Sequence, residues 1–156
     1  MKPLVVFYSR SGVTRKVAES LSQELGCDVE EVVDTKNRGG LWGYITSGYG
    51  ANRKRLTVIR DTKYDPSQYD LVIIGTPVWA GLMSVPIRTY ITKNMDKLKR
   101  VAFFCTLGSK DAPRIFPDME ELCGKRPVGT AMFRKGDVMG GAYLQKVQQF
   151  AAEMGR

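Results

Sequence analysis

Residues 70–76 read DLVIIGT, a run of four apolar residues ended by Gly75. A short apolar run stopped by a turn former is the plainest strand signal in the chain. The same kind of signal recurs on both sides of it. Lys2 to Ser9 holds a continuous apolar run, Leu4 to Tyr8, suited to burial on both faces of a sheet. Arg100 to Thr106 (RVAFFCT) is another strand; Asp28 to Val33 is shorter, and Val128 to Phe133 is weaker.

Helical spacing fills the gaps between these strands. From Gly12 to Leu25, Val13, Val17, Leu21 and Leu25 recur on one face, with Ala18 beside them, and Gly26 ends the run as a helix-terminating glycine does. Ser84 to Asn94 carries Pro86 in its first turn, where a missing N–H costs little. Asp111 to Cys123 contains a helix, regular from about Pro117 because Pro113 and Pro117 interrupt its start, and Ala142 to Met154 is the last helix. Five strands alternating with helices predict a parallel α/β sheet with helices on both faces. Right-handed crossovers then bring every strand-to-helix turn to one edge, where such sheets bind ligands.

A chain of 156 residues, 43% hydrophobic and 26% charged, is expected to form one domain over 1–156 with a substantial core. No apolar run approaches the roughly 20 residues that cross a bilayer. The short apolar start is followed by Ser9-Arg10-Ser11-Gly12 rather than a small-residue cleavage site, so a cytoplasmic location is expected. Cys27, Cys105 and Cys123 cannot all pair within the chain, which suits a reducing compartment. With no histidine, His-based triads are excluded, and neither a catalytic residue nor a metal ligand is assigned. The net charge of +8 favours anionic ligands or acidic partners.

Three turns at the carboxyl edge carry the chemistry. The first, Ser9-Arg10-Ser11-Gly12-Val13-Thr14, offers three hydroxyls, a glycine and the unpaired amides of a helix start, and no carboxylate lies between Lys2 and Ala18. Converging amides and a helix dipole make an anion site. Ordinary capping, with Ser11 as N-cap for Thr14 or Arg15, is the competing account. The turn lacks the lysine of a Walker loop and is not G-x-G-x-x-G. In the second, Gly75-Thr76-Pro77-Val78-Trp79-Ala80-Gly81, small residues flank a tryptophan placed to stack on a heterocycle or to close the core. The third, Cys105-Thr106-Leu107-Gly108-Ser109, again combines small and polar residues.

In this order and at these positions, YSRSGVT, GTPVWAG and CTLGS resemble the phosphate loop and the two flavin loops of the flavodoxin family. The resemblance spans essentially the whole chain and implies a five-stranded parallel sheet of order 2-1-3-4-5 with FMN bound non-covalently. It implies that Ser9, Arg10, Ser11, Gly12, Val13 and Thr14 hold the phosphate. Thr76, Pro77, Val78, Trp79, Ala80 and Gly81 line the isoalloxazine, with Trp79 over one face. Cys105, Thr106, Leu107, Gly108 and Ser109 offer backbone groups to the pyrimidine edge and ribityl chain. A peptide carbonyl near Ala80 or Gly81 then accepts from N5–H of the reduced flavin.

The chain departs from the family in two respects. Flavodoxins are typically acidic, and a charge of +8 points to redox partners with acidic surfaces. No aromatic occurs from Cys105 to Ile115, which leaves one flavin face open to a quinone or nicotinamide. The resemblance nonetheless makes electron transfer between protein partners the favoured function. An NAD(P)H-dependent FMN-containing quinone or flavin reductase is the alternative, and a non-redox module binding a phosphorylated ligand or an acidic protein is the third. Residues 36–55, with Arg38, Trp42, Tyr44, Tyr49, Arg53, Lys54 and Arg55, read as a lip, a nucleic-acid patch or a packed helix. No RNA-binding signature accompanies them, so nucleic acid is not an expected partner.

Overall fold

The computed structural model describes residues 1–35 and 56–155. The basic aromatic segment 36–55, with Arg38, Trp42, Tyr44, Tyr49, Arg53, Lys54 and Arg55, lies outside the described residues. The strands are β1 (Pro3–Phe7), β2 (Asp28–Glu31), β3 (Leu71–Trp79), β4 (Leu82–Met83), β5 (Val101–Leu107) and β6 (Thr130–Arg134). The helices are α1 (Val13–Leu25), α2 (Val85–Asn94), α3 (Ile115–Cys123), α4 (Lys135–Gly140) and α5 (Leu144–Met154). The parallel ladder runs β2-β1-β3-β5-β6, and β4 pairs antiparallel with the end of β3. Setting β4 aside, this is the expected 2-1-3-4-5 order.

Alternation along the strands separates two cores. Leu4, Val6, Val72, Ile74, Val101, Phe103 and Cys105 face Ile87, Tyr90 and Ile91 of α2 and Ile115 and Met119 of α3. Val5, Phe7, Leu71, Ile73, Ala102 and Phe104 face Val17 and Leu21 of α1 and Val147, Phe150 and Met154 of α5. Strands buried on both faces need apolar residues at every position, which is why β1, β3 and β5 read as continuous runs. Arg88 of α2 and Asp118 of α3, both buried, form an ion pair at 2.5 Å that ties the two helices together.

Boundaries differ from expectation in several places. α3 is regular from Ile115 rather than from about Pro117, because Pro117 falls in the first turn, where its missing N–H needs no intrahelical partner. β3 continues through Pro77 instead of stopping near Thr76. Gly75 O accepts from Tyr8 N, whereas Val72 N donates to Arg100 O, so odd residues of β3 address β1 and even ones address β5. The N–H that Pro77 lacks would point to the β1 side beyond Phe7, where β1 has already ended. The final helix starts at Leu144, not Ala142, because a separate short helix, α4, precedes it and ends at Gly141 in a left-handed conformation.

Candidate functional site

The turn between β1 and α1 is an open helix start. Gly12 is the residue before the helix, and its φ of 97° is in the left-handed region that glycine adopts without a Cβ penalty. Lys16 N bonds Gly12 O at 3.1 Å, the first rung of α1. Gly12 has no side chain with which to cap the amides that follow, no described side chain bonds them, and no acid occupies the first turn. Ser11 is exposed and is not the N-cap, so the capping account of this turn does not hold. Ser9 Oγ accepts from Gly12 N at 3.0 Å, which closes the turn and leaves the hydroxyl proton for an outside acceptor. Arg10 is exposed beside it.

Val13 and Thr14 face inward from this turn. Thr14 is 2% exposed, and its Oγ1 lies 2.7 Å from Thr106 Oγ1 across a sequence separation of 92. That buried hydroxyl pair fixes the start of α1 to the end of β5. The Thr14 hydroxyl is thus engaged inside the protein.

The second segment is a hairpin rather than an irregular loop. Val78 pairs with Met83 and Trp79 with Leu82, so Ala80 and Gly81 alone form the turn. Both have positive φ, 51° and 80°, the combination a two-residue hairpin requires to match strand twist. Ala80 is the one non-glycine residue in this region among the described residues. Thr76 holds the base of the hairpin: it is fully buried, its Oγ1 accepts from Ser84 N at 2.9 Å, and it lies 3.0 Å from Ser84 Oγ. Pro77, Val78 and Gly81 are half-buried, and Ala80 is exposed.

Trp79 is placed differently from the sequence expectation of a ring lying over the flavin. It is 6% exposed and belongs to the core cluster, with Tyr8 edge-on at a ring separation of 5.4 Å. Once β3 extends to residue 79, the indole becomes a strand side chain that packs beneath the hairpin and takes the core-closing role. The rim is formed by Pro77, Val78, Ala80 and Gly81.

The third segment also divides into buried and open parts. Cys105 and Thr106 lie within β5, paired to β3 on one side and β6 on the other. Cys105 is fully buried, and its backbone is committed to the sheet, so it cannot serve an outside ligand. Leu107 is 5% exposed, whereas Gly108 and Ser109 are exposed. Arg134, which the sequence did not single out, reaches this segment from the end of β6. Its Nη1 donates to Gly108 O at 3.2 Å and Ser109 O at 3.1 Å, and its Nη2 donates to Asp111 Oδ1 at 2.5 Å.

Burial pushes the Cys105 thiol up to about 12, and burial with the Asp28 charge pushes Cys27 up to about 11, from 9.0. Burial also raises Tyr90, whose hydroxyl has no partner among the described residues. Below the unfolded value near 9 the thiols are protonated in both states. As pH climbs past it, the unfolded chain ionises first, the folded chain binds more protons, and stability falls. The urea midpoint is expected to be flat to about pH 8.5 and to drop steadily toward pH 11, with Cys105→Ala flattening the drop. A midpoint constant to pH 11 contradicts this.

The structure therefore brings Ser9, Arg10, Ser11, Gly12, Pro77, Val78, Ala80, Gly81, Gly108 and Ser109 to one edge with exposed or half-buried surface. Val13, Thr14, Thr76, Trp79, Cys105, Thr106 and Leu107 support them from behind. No group of three or more potential metal ligands occurs among the described residues, and no helix among them is long and apolar enough to cross a membrane.

No protein-family model matches the chain, and no curated protein matches it. Solved structures do. A flavoprotein from Lactobacillus acidophilus NCFM in complex with FMN is 26% identical, with a TM-score of 0.75 over 90% of this chain and 98% of that one. The apo-form of the Lactobacillus acidophilus NCFM flavoprotein is 28% identical, with a TM-score of 0.67 over 85% and 91%. A flavodoxin from the domain Archaea, at 18% identity and a TM-score of 0.58, covers 97% of this chain and 94% of its own, a likeness of fold. The chain has a flavodoxin-like fold.

Proposed function

We propose that this flavodoxin-like chain binds FMN non-covalently at the carboxyl edge of its sheet and transfers electrons between redox partners. The observation that carries the proposal is the open start of α1: Gly12 in a left-handed conformation, no capping side chain among the described residues, no acid in the first turn, and exposed Ser11 and Arg10 alongside. A phosphate dianion is the group such a terminus accepts best. The FMN complex of the 26% identical flavoprotein supports the same ligand.

The residues present fit FMN in a definite division of labour. Ser9, Arg10, Ser11 and Gly12, with the amides of Val13 and Thr14, hold the phosphate. Pro77, Val78, Ala80 and Gly81 form one wall for the ring, and Gly108 and Ser109 form the other. Trp79 and Tyr8 stiffen the hairpin wall from below. Bound FMN supplies one- and two-electron redox chemistry, and the protein contributes orientation and electrostatics. The surplus of 24 basic over 16 acidic residues favours partners with acidic surfaces.

Quenching of flavin fluorescence tests the assignment. FMN is expected to bind about 100-fold more tightly than riboflavin, because the phosphate contributes several charge-assisted bonds. Equal affinity for the two, or no quenching by either, overturns the reading. One observation favours a second reading, a reductase: Gly108 and Ser109 carry no aromatic over the ring, so a planar substrate has room there. Steady-state NAD(P)H oxidation with a quinone separates the two, since a carrier is reduced only slowly by nicotinamide alone.

A further inference from the structure

The Arg134 guanidinium makes three bonds, all to one loop, residues 108–111. We propose that Arg134 is a positioning residue that sets the peptide planes of residues 108–110, so that two successive amides face the flavin ring. The proposal rests on the FMN reading above and adds a residue to it.

Topology and peptide geometry carry the argument. β6 and β3 flank β5 on opposite sides, and Arg134 stands opposite Leu107 at the end of the β5–β6 ladder. Its guanidinium draws the carbonyls of Gly108 and Ser109 toward the β6 side. No cis peptide occurs among the described residues, and in a planar trans unit the N–H points opposite to the C=O. The N–H groups of Ser109 and Lys110 therefore point away from the Arg134 guanidinium. Neither amide donates a hydrogen bond to a described residue.

Two adjacent donors suit the pyrimidine edge of an isoalloxazine, whose carbonyl oxygens and ring nitrogen are acceptors. Gly108, Ser109, Lys110 and Asp111 are all exposed, so little packing holds this loop in one conformation. Arg134 selects the conformer with donors outward; without it, a flipped peptide presents a carbonyl to the same acceptors. The Arg134–Asp111 pair is half-exposed or more on both sides, so its contribution to fold stability is small.

Arg134→Gln in the full chain tests this against FMN and against lumiflavin, which has the ring without the phosphate. Both are expected to bind roughly tenfold more weakly, with the melting temperature unchanged. Arg134→Lys, which keeps the charge without the planar fork, falls between. In wild type the Ser109 and Lys110 amide resonances are expected to shift on adding FMN, and in Arg134→Gln to shift far less. Unchanged affinity for both flavins overturns the proposal, as does a loss confined to FMN, which would assign Arg134 to the phosphate. A wild-type chain that quenches neither flavin overturns the FMN reading itself. Wild-type binding with an indifferent Arg134→Gln overturns only the positioning role.

Discussion

Ser11→Asp is expected to lower FMN affinity by about 100-fold while leaving riboflavin binding unchanged, because a carboxylate placed a few ångströms from the phosphate at a protein surface adds a like-charge repulsion of about 3 kcal/mol where the neutral hydroxyl had none. Ser11 is exposed one residue before Gly12, so a carboxylate there competes for the amides that would receive the phosphate. The same carboxylate interacts favourably with the positive end of α1, contributing about 0.3–1 kcal/mol to the apo-protein. Affinity and stability thus move in opposite directions, a signature that a folding defect does not produce. Fluorescence titration and urea denaturation measure the two effects. Raising the salt concentration narrows the gap between variant and wild type, because the charges are solvent-exposed. If FMN binds the variant as well as wild type, the phosphate does not sit at the start of α1.

Gly75→Ala is expected to cost about 3 kcal/mol of stability, near the top of the range for overpacking a core. A Cβ at position 75 would overlap Cζ and both Cε carbons of the Phe104 ring. That ring is fully buried and packs edge-on against Phe133 at 6.1 Å, so it has no vacant direction in which to retreat. Gly75 lies opposite Phe7 in β1 and Phe104 in β5, and two large side chains share the space left by its missing one. The double variant Gly75→Ala, Phe104→Leu should recover part of the loss, because a smaller neighbour relieves the overlap. Urea denaturation of the single and double variants measures both. A single variant as stable as wild type would mean that the sheet tolerates the methyl by shifting its backbone.

The order of strands and helices was legible because local chemistry decides it. A strand buried on both faces must be apolar throughout, as in residues 71–74, and a helix lying on a sheet must repeat its apolar residues near 3.6, as Val13, Val17 and Leu21 do. The edge at which the turns gather follows from crossover handedness. What the sequence concealed depends on neighbours. Pro77 reads as a strand terminator until β1 is known to end before it reaches that level. Trp79 reads as a rim residue until β3 is known to carry it into a hairpin against Tyr8. The Thr14 side chain reads as one more hydroxyl on the turn until Thr106 is found beside it. Arg134 gave no signal, because an arginine at a strand end is ordinary and its partners are backbone carbonyls, which any sequence supplies.

The left-handed backbone at Ala80 limits how this chain can diverge. Glycine, asparagine and aspartate sit comfortably at a φ of 51°, whereas valine, isoleucine and threonine do not. Drift at the hairpin tip is confined to short, unbranched residues, so variants of this chain would seldom acquire a new bulky group there. Pro77 and Val78, half-buried in extended backbone just before the tip, have no such restriction. Evolutionary retuning of the ligand's surroundings on this wall should therefore accumulate at 77 and 78, with the tip held nearly constant.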